Sequence, residues 1–372
     1  MTKPIKVMTI FGTRPEAIKM APIVLQLQQQ SQFEPVTVVT AQHREMLDQV
    51  LAIFQITPDY DLNIMKPNQT LAGITSRVLT KLDAIMDDER PDIVLVHGDT
   101  TTTFAASVSA FYHQIPVGHV EAGLRTWQKY SPYPEEMNRQ LTDVLADMYF
   151  APTELSRQNL LTENHPDAAI TVTGNTAIDA LKQTVSADYQ HAALDLIQPG
   201  HRMILLTMHR RENQGAPMEA VFTAIKRVVA QHPDVEVVYP VHLSPAVQTV
   251  AKRILGDTDR IHLIEPLDVL DFHNMAARSY FIMTDSGGVQ EEAPSLNKPV
   301  LVLRDTTERP EGVTAGTLKL VGTDGAQVAA AMTTLLDDAA EYQRMATAEN
   351  PYGDGHAAEY ILQAIMKKIG TH

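Results

Sequence analysis

Short runs of Val, Ile and Leu recur along the chain, separated by longer segments whose apolar residues return with helical spacing. The short runs read as strands buried on both faces and the longer segments as the helices that cover them. "IKVMTIF" (Ile5 to Phe11), "VTVVT" (Val36 to Thr40), "DIVLVHGD" (Asp92 to Asp99), "VGHVEA" (Val117 to Ala122) and "DMYFAP" (Asp147 to Pro152) predict the strands of one sheet. After "ITVTGNTAIDAL" the pattern restarts with "RMILLTMH" (Arg202 to His209), "VEVVYPVH" (Val235 to His242), "IHLIEP" (Ile261 to Pro266), "YFIMTDSGG" (Tyr280 to Gly288) and "PVLVLRD" (Pro299 to Asp305). Strands alternating with helices in this way predict parallel sheets. The expectation is α/β: two doubly wound, Rossmann-like domains over residues 1–173 and 174–354, followed by an amphipathic helix over 355–372.

Composition narrows the chemistry. At 372 residues the chain exceeds one ordinary core, in keeping with two domains. It has no cysteine, which excludes disulfides, thiolate metal sites and a cysteine nucleophile. No apolar stretch approaches the ~18 residues that span a bilayer, and the N-terminal run is too interrupted for a signal peptide. A soluble, cytoplasmic protein without membrane contact is expected. A formal charge of -15 argues against nonspecific nucleic-acid binding. An anionic ligand would need cations gathered locally.

Such cations cluster at predicted strand ends, where ligands of open parallel sheets bind. "FGTRPEAIK" places Gly12, Thr13 and Arg14 after the first strand, with Pro15 opening a helix and Lys19 within reach of the same end. "VHGDTTTT" ends a strand with His97 and Asp99, "HVEAGLRT" with His119, Glu121 and Arg125, and "TMHRREN" with His209, Arg210 and Arg211. Taken singly, each has an ordinary reading. Asp99 could cap the helix that follows, Glu135 and Arg139 in "YSPYPEEMNRQLTDVLAD" could form an i, i+4 surface pair, and "VLRDTTERPEGVTAG" could be a solvated loop. "TDSGGVQEEAPSL" is harder to set aside. Gly287 and Gly288 open a helix whose free N–H groups favour an anion, yet Glu291 and Glu292 follow at once.

"FGTRPEAIKMAP", "HGDTTTT", "GHVEAGLRT", "YSPYPEEMNR", "HRREN", "DSGGVQEEAPSLNKPVLVLRDTTERPEGV" and "NPYGDG" run in order from residue 11 to residue 355. Together they resemble the non-hydrolysing UDP-N-acetylglucosamine 2-epimerases. The resemblance implies two Rossmann-like domains facing a cleft (the GT-B fold), with the C-terminal helix returning to the first domain. It implies reversible inversion at carbon 2 of UDP-N-acetylglucosamine, by loss of UDP to 2-acetamidoglucal and readdition, feeding cell-surface polysaccharide synthesis. Asp99, Glu121 and Glu135 match the catalytic acids; His209 joins them and, with Arg14 and Arg309, reaches the diphosphate. Lys19 belongs to the substrate set, Phe272 lies near the uracil, and the N–H groups of Ser286, Gly287 and Gly288 hold the diphosphate. Glu292 accepts from the ribose hydroxyls, which reconciles anion-binding glycines with a neighbouring carboxylate. Gln42, Glu45, Asn68, Arg210 and His242, with Glu135, match a regulatory site for a second substrate molecule. There Glu45 stands where glutamine occurs and Asn68 where arginine occurs, so weaker substrate activation is expected. The family requires no metal and no nicotinamide, and suggests a homodimer. A glycosyltransferase using a UDP-sugar donor, or a nucleotide-sugar sensor, are the alternatives on the same scaffold.

Overall fold

The computed structural model describes residues 3–42 and 44–370. It contains two parallel sheets. The first has the order β3-β2-β1-β4-β5-β6-β7 and is built from β1 (Ile5–Phe11), β2 (Phe33–Val39), β3 (Tyr60–Asp61), β4 (Ile93–His97), β5 (Val117–Val120), β6 (Met148–Ala151) and β7 (Ile170–Val172). The second has the order β10-β9-β8-β11-β12-β13, from β8 (Arg202–Thr207), β9 (Val235–Pro240), β10 (Ile261–Ile264), β11 (Phe281–Thr284), β12 (Val300–Val302) and β13 (Leu318–Leu320). Met8 of β1 stands between Val36 and Val94, and Leu205 of β8 between Val238 and Ile282. The central strands are almost wholly buried, as their unbroken apolar runs require. The pattern did not mark β3, β7 and β13. Each is only two or three residues long, partly polar and at or near a sheet edge.

The chain divides into two compact units, Met1–Ala180 with Tyr352–His372, and Leu181–Pro351. The hydrophobic pattern places its breaks at 173/174 and 354/355, a few residues away. Two contacts draw the intervening residues into the first unit. The Asn175 N–H donates to the Tyr352 carbonyl at 2.7 Å, and a Cβ on Gly174 would meet Gly353 Cα at 3.0 Å.

The Ala357–Ile369 helix belongs to the first unit. Its buried Ala358, Ile361, Leu362 and Ile365 share a core cluster with Ile5, Val7, Met20 and Val24. Each large side chain buried there contributes about 1.5–3 kcal/mol. His356, at the N-cap, offers no side-chain cap. Asp179 supplies one from the Thr176–Thr184 helix, accepting from the Ala357 N–H at 3.2 Å and the Ala358 N–H at 2.9 Å. Among the described residues no helix is long and apolar enough to cross a membrane.

Candidate active site

Chain order changes direction between β1 and β4 in one sheet and between β8 and β11 in the other. Loops leaving the carboxyl ends of such strands diverge and open a crevice. In the first unit, Gly12 follows β1 because nothing larger fits: a Cβ there would lie 1.9 Å from Thr40 Oγ1. Thr13 caps the Arg14–Gln29 helix in a capping box with Glu16. Buried Glu16 accepts from the N–H groups of Gly12 (3.0 Å) and Thr13 (2.8 Å), and from the hydroxyls of Thr100 (2.7 Å) and Thr103 (3.0 Å). Burial raises its pKa and these donors oppose the rise. One carboxylate thus ties the loop after β1 to the loop after β4. Arg14 emerges exposed at the start of the helix.

Asp99 does not cap the helix after β4. Thr100 does, accepting from the Thr103 N–H at 3.1 Å. Asp99 is left to accept from Arg139 at 2.7 Å, while the Asn138 amide donates to its backbone carbonyl at 2.9 Å. Arg139 is therefore not the surface partner of Glu135. It serves Asp99 and lies 3.6 Å from Glu136, whose buried carboxylate receives the N–H groups of Thr126 and Trp127, each at 3.0 Å. Glu135 is half-exposed at the first residue of the Glu135–Leu145 helix.

Glu121 follows β5 with φ +66°, a left-handed conformation that a non-glycine residue adopts only where its surroundings enforce it. One carboxylate oxygen takes the Lys19 ammonium and the Asn175 amide (3.2 Å), and the other lies 3.6 Å from His97 Nε2. His97 is buried, and burial lowers its pKa to about 4. Glu121 pulls the other way, while Lys19 and His119 add to the lowering.

In the second unit, the loop after β8 folds over Asp285. This fully buried carboxylate accepts from the N–H groups of His209 and Arg210, both at 2.9 Å, and from the Asn213 amide at 3.0 Å. Its other oxygen lies 3.5 Å from His209 Nδ1, and the His209 ring stacks on His242 at 5.4 Å. The helix Gly287–Glu292 starts beyond β11. The Ser286 N–H, expected to face an anion with those of Gly287 and Gly288, instead donates to the Thr284 hydroxyl at 2.9 Å. Guanidinium nitrogens of Arg309 and Arg210 lie 3.7 Å and 3.9 Å from where a Gly287 Cβ would stand. Two cations thus stand beside the first turn of this helix, whose N-terminal dipole favours an anion.

The adjacent glutamates take opposite parts. Glu291, buried, holds the Arg309 guanidinium. Glu292 points elsewhere, 3.4 Å from the Nε2 of buried His273, whose Nδ1 meets the Thr184 hydroxyl at 2.7 Å. Phe272, beside His273, packs half-buried against the core. Arg304 is not part of an open charged loop. It is 6% exposed and forks onto Glu308 (2.7 and 3.0 Å), drawing that carboxyl down to about 2, and reaches Glu212 at 3.1 Å.

The family model described as UDP-N-acetylglucosamine 2-epimerase matches residues 25–366. The chain belongs to that family. It is 62% identical to the UDP-N-acetylglucosamine 2-epimerase of Bacillus subtilis (strain 168) over 99% of this chain and 97% of that one. It is 56% identical to the Escherichia coli (strain K12) protein of the same name over 97% and 98%. The crystal structure of the Neisseria meningitidis UDP-GlcNAc 2-epimerase bound to UDP-GlcNAc superposes with a TM-score of 0.87 at 50% identity, covering 98% of this chain and all of that one.

The residues that the UDP-N-acetylglucosamine 2-epimerase resemblance marks fall into two sets, one per unit. Arg14, Lys19, Asp99, Glu121 and Glu135 lie on the first, together with Gln42, Glu45 and Asn68. Gln42 accepts from the Thr102 hydroxyl at 3.0 Å, and Glu45 and Asn68 are exposed. His209, Arg210, His242, Phe272, Ser286, Gly287, Gly288, Glu292 and Arg309 lie on the second. The sequence offered Arg139 only as a surface partner of Glu135 and left the role of Glu291 open, while Glu16 and Asp285 did not stand out. Only Glu16 carries a local signal, three residues after Thr13. Arg125, at the end of "HVEAGLR", faces no ligand: its side chain is wholly buried between Asp143 and Glu163.

Proposed function

We propose that this epimerase interconverts UDP-N-acetylglucosamine and UDP-N-acetylmannosamine by elimination and readdition. The observation that carries the reading is the convergence of Arg309 and Arg210 on Gly287, with Glu292 projecting from the same short helix. Cations and free N–H groups suit a diphosphate, and a carboxylate accepting from two hydroxyls suits the adjoining ribose. Phe272 borders the base. No carbonyl acidifies the hydrogen on carbon 2, so departure of the diphosphate supplies the electron sink. The C1–O bond breaks as a carboxylate takes the carbon 2 proton, giving 2-acetamidoglucal and UDP. Readdition returns UDP to carbon 1 and a proton to the other face of carbon 2.

Charge develops on the leaving diphosphate, and Arg14, His209 and Arg309 are the groups assigned to stabilise it, the largest expected contribution to rate. Proton transfer falls to Asp99, Glu121 and Glu135. Glu121 and Asp99 each already hold a cationic partner, Lys19 and Arg139. Gln42, Glu45, Asn68, Arg210, His242 and Glu135 are proposed to bind a second substrate molecule that activates, weakly here because Glu45 and Asn68 supply no cation. The active form is proposed to be a cytoplasmic homodimer serving cell-surface polysaccharide synthesis.

Proton NMR of UDP-N-acetylglucosamine with the purified protein in deuterated water, without acceptor, metal or nicotinamide, tests the reading. The manno-epimer carrying deuterium at carbon 2 is expected. An unchanged spectrum from protein that binds UDP would overturn it, and hyperbolic initial rates with unaided turnover of the manno-sugar would count against activation.

A further inference from the structure

Behind Asp99 and Glu121, two of the three acids of the first unit, lies a chain of charges that the proposed reaction does not use. His119 on β5 and Asp143 on the Glu135–Leu145 helix are both 0% exposed. His119 Nδ1 lies 2.6 Å from Asp143 Oδ1, and His119 Nε2 lies 2.7 Å from the Gly98 carbonyl oxygen. Asp143 Oδ2 accepts from Arg125 at 2.6 Å and from the Gly123 N–H at 3.3 Å, and Arg125 continues to Glu163 at 2.5 and 2.9 Å. A carbonyl cannot donate, so Nε2 carries a proton. A carboxylate already accepting from a guanidinium is a poor home for a second proton, so Nδ1 carries one too. Burial alone would raise the Asp143 carboxyl, but the His119 and Arg125 charges and hydrogen bonds outweigh it and hold it below the usual range. Signs then alternate along Glu163, Arg125, Asp143 and His119, and a buried cation is matched by its neighbours.

The position of that ring matters more than its charge balance. Gly98 has φ +67° and directly precedes Asp99, so its carbonyl fixes the peptide plane from which Asp99 departs. His119 also sits two residues ahead of Glu121, on the strand whose end carries that strained residue. We propose that His119 is a positioning residue: a buried imidazolium whose two N–H groups clamp the Gly98 carbonyl to Asp143 and thereby set how Asp99 and Glu121 are presented to the sugar. The inference rests on the reading of those two as catalytic acids. Three further titratable groups flank this network: His97 on β4, Tyr149 on β6, which donates to the Asp143 backbone carbonyl at 3.0 Å, and His165, which bonds Tyr149 at 3.0 Å and lies 3.6 Å from Glu163.

Nitrogen-15 NMR of the histidine rings in the wild-type protein at about pH 7 reads the charge without reference to activity. His119 is expected to show a proton on both ring nitrogens there, as its two acceptors require, and on one in D143N. A neutral ring at neutral pH in the wild type would overturn the proposal. His119→Gln, which cannot donate in both directions, is expected to lower kcat about 10²-fold, with KM and UDP affinity near wild type and with D143N falling alongside. Wild-type kcat in folded H119Q would overturn the positioning role alone. Full activity in D99N and E121Q would instead overturn the acid assignment, and the positioning role with it.

Discussion

His97 makes the first unit sensitive to acid, with a sign and size that follow from its burial. Its folded pKa is about 4, against an unfolded value near 6.5. Between those values the unfolded chain binds the proton and the folded chain does not, so stability rises with pH through the window. The contribution is complete above about pH 6.5, declines as pH falls, and is fully lost below about pH 4. A separation of about 2.5 units corresponds to roughly 3 kcal/mol in total and about 2.5 kcal/mol at pH 4.5. Other groups titrate in the same range, so the measurement is a difference. Urea unfolding of wild-type and H97N protein is compared at about pH 7.5 and pH 4.5. The chain has one tryptophan, Trp127, and it lies in the first unit, so its emission reports that unit alone. The wild type is expected to lose about 2.5 kcal/mol more than H97N on acidification. Equal losses would refute the reasoning, because they would mean that the ring accepts its proton in the folded state as readily as in water.

Replacing Asp99 or Glu121 by its amide is expected to lower turnover about 10²–10⁴-fold while UDP still binds, and a near wild-type rate in either would remove that residue from the chemistry. Arg309→Ala is expected to weaken UDP binding about tenfold to 10²-fold by calorimetry. Glu291→Ala, which removes the carboxylate that holds Arg309, is expected to weaken it less but in the same direction. Asp179→Ala removes the cap of the Ala357–Ile369 helix and is expected to cost about 2 kcal/mol, read from Trp127 emission in urea. An unchanged midpoint would show that the helix needs no cap.

The sequence was most informative where physics is local. Apolar runs marked ten of the strands because burial on both faces leaves no polar position to blur them, while β3, β7 and β13 are too short for a period to form. Gly287, Gly288 and the strand ends stood out because turn chemistry and sheet topology restrict what can stand there. Partner choice was not legible. Arg139 is spaced to meet Glu135 but bonds Asp99, forty positions away in the chain, and nothing in "QEE" indicates which glutamate turns inward to Arg309. Likewise Asp99 precedes a helix as a cap would, yet Thr100 competes for the role and takes it. Asp143 and Asp285 read as surface acids by type, and their burial follows only from donors contributed by distant segments.

The return of Ala357–Ile369 to the first unit has a consequence for how the molecule is made. Leu181–Pro351 is one unbroken stretch, complete as soon as it has been synthesised, whereas the first unit lacks part of its core until the last helix arrives. Domains of a nascent chain ordinarily mature in order from the N-terminus. Here that order is inverted. The half that is begun first is the half that is finished last, and its apolar surface around Met20 and Val24 stays uncovered while the ribosome completes the other.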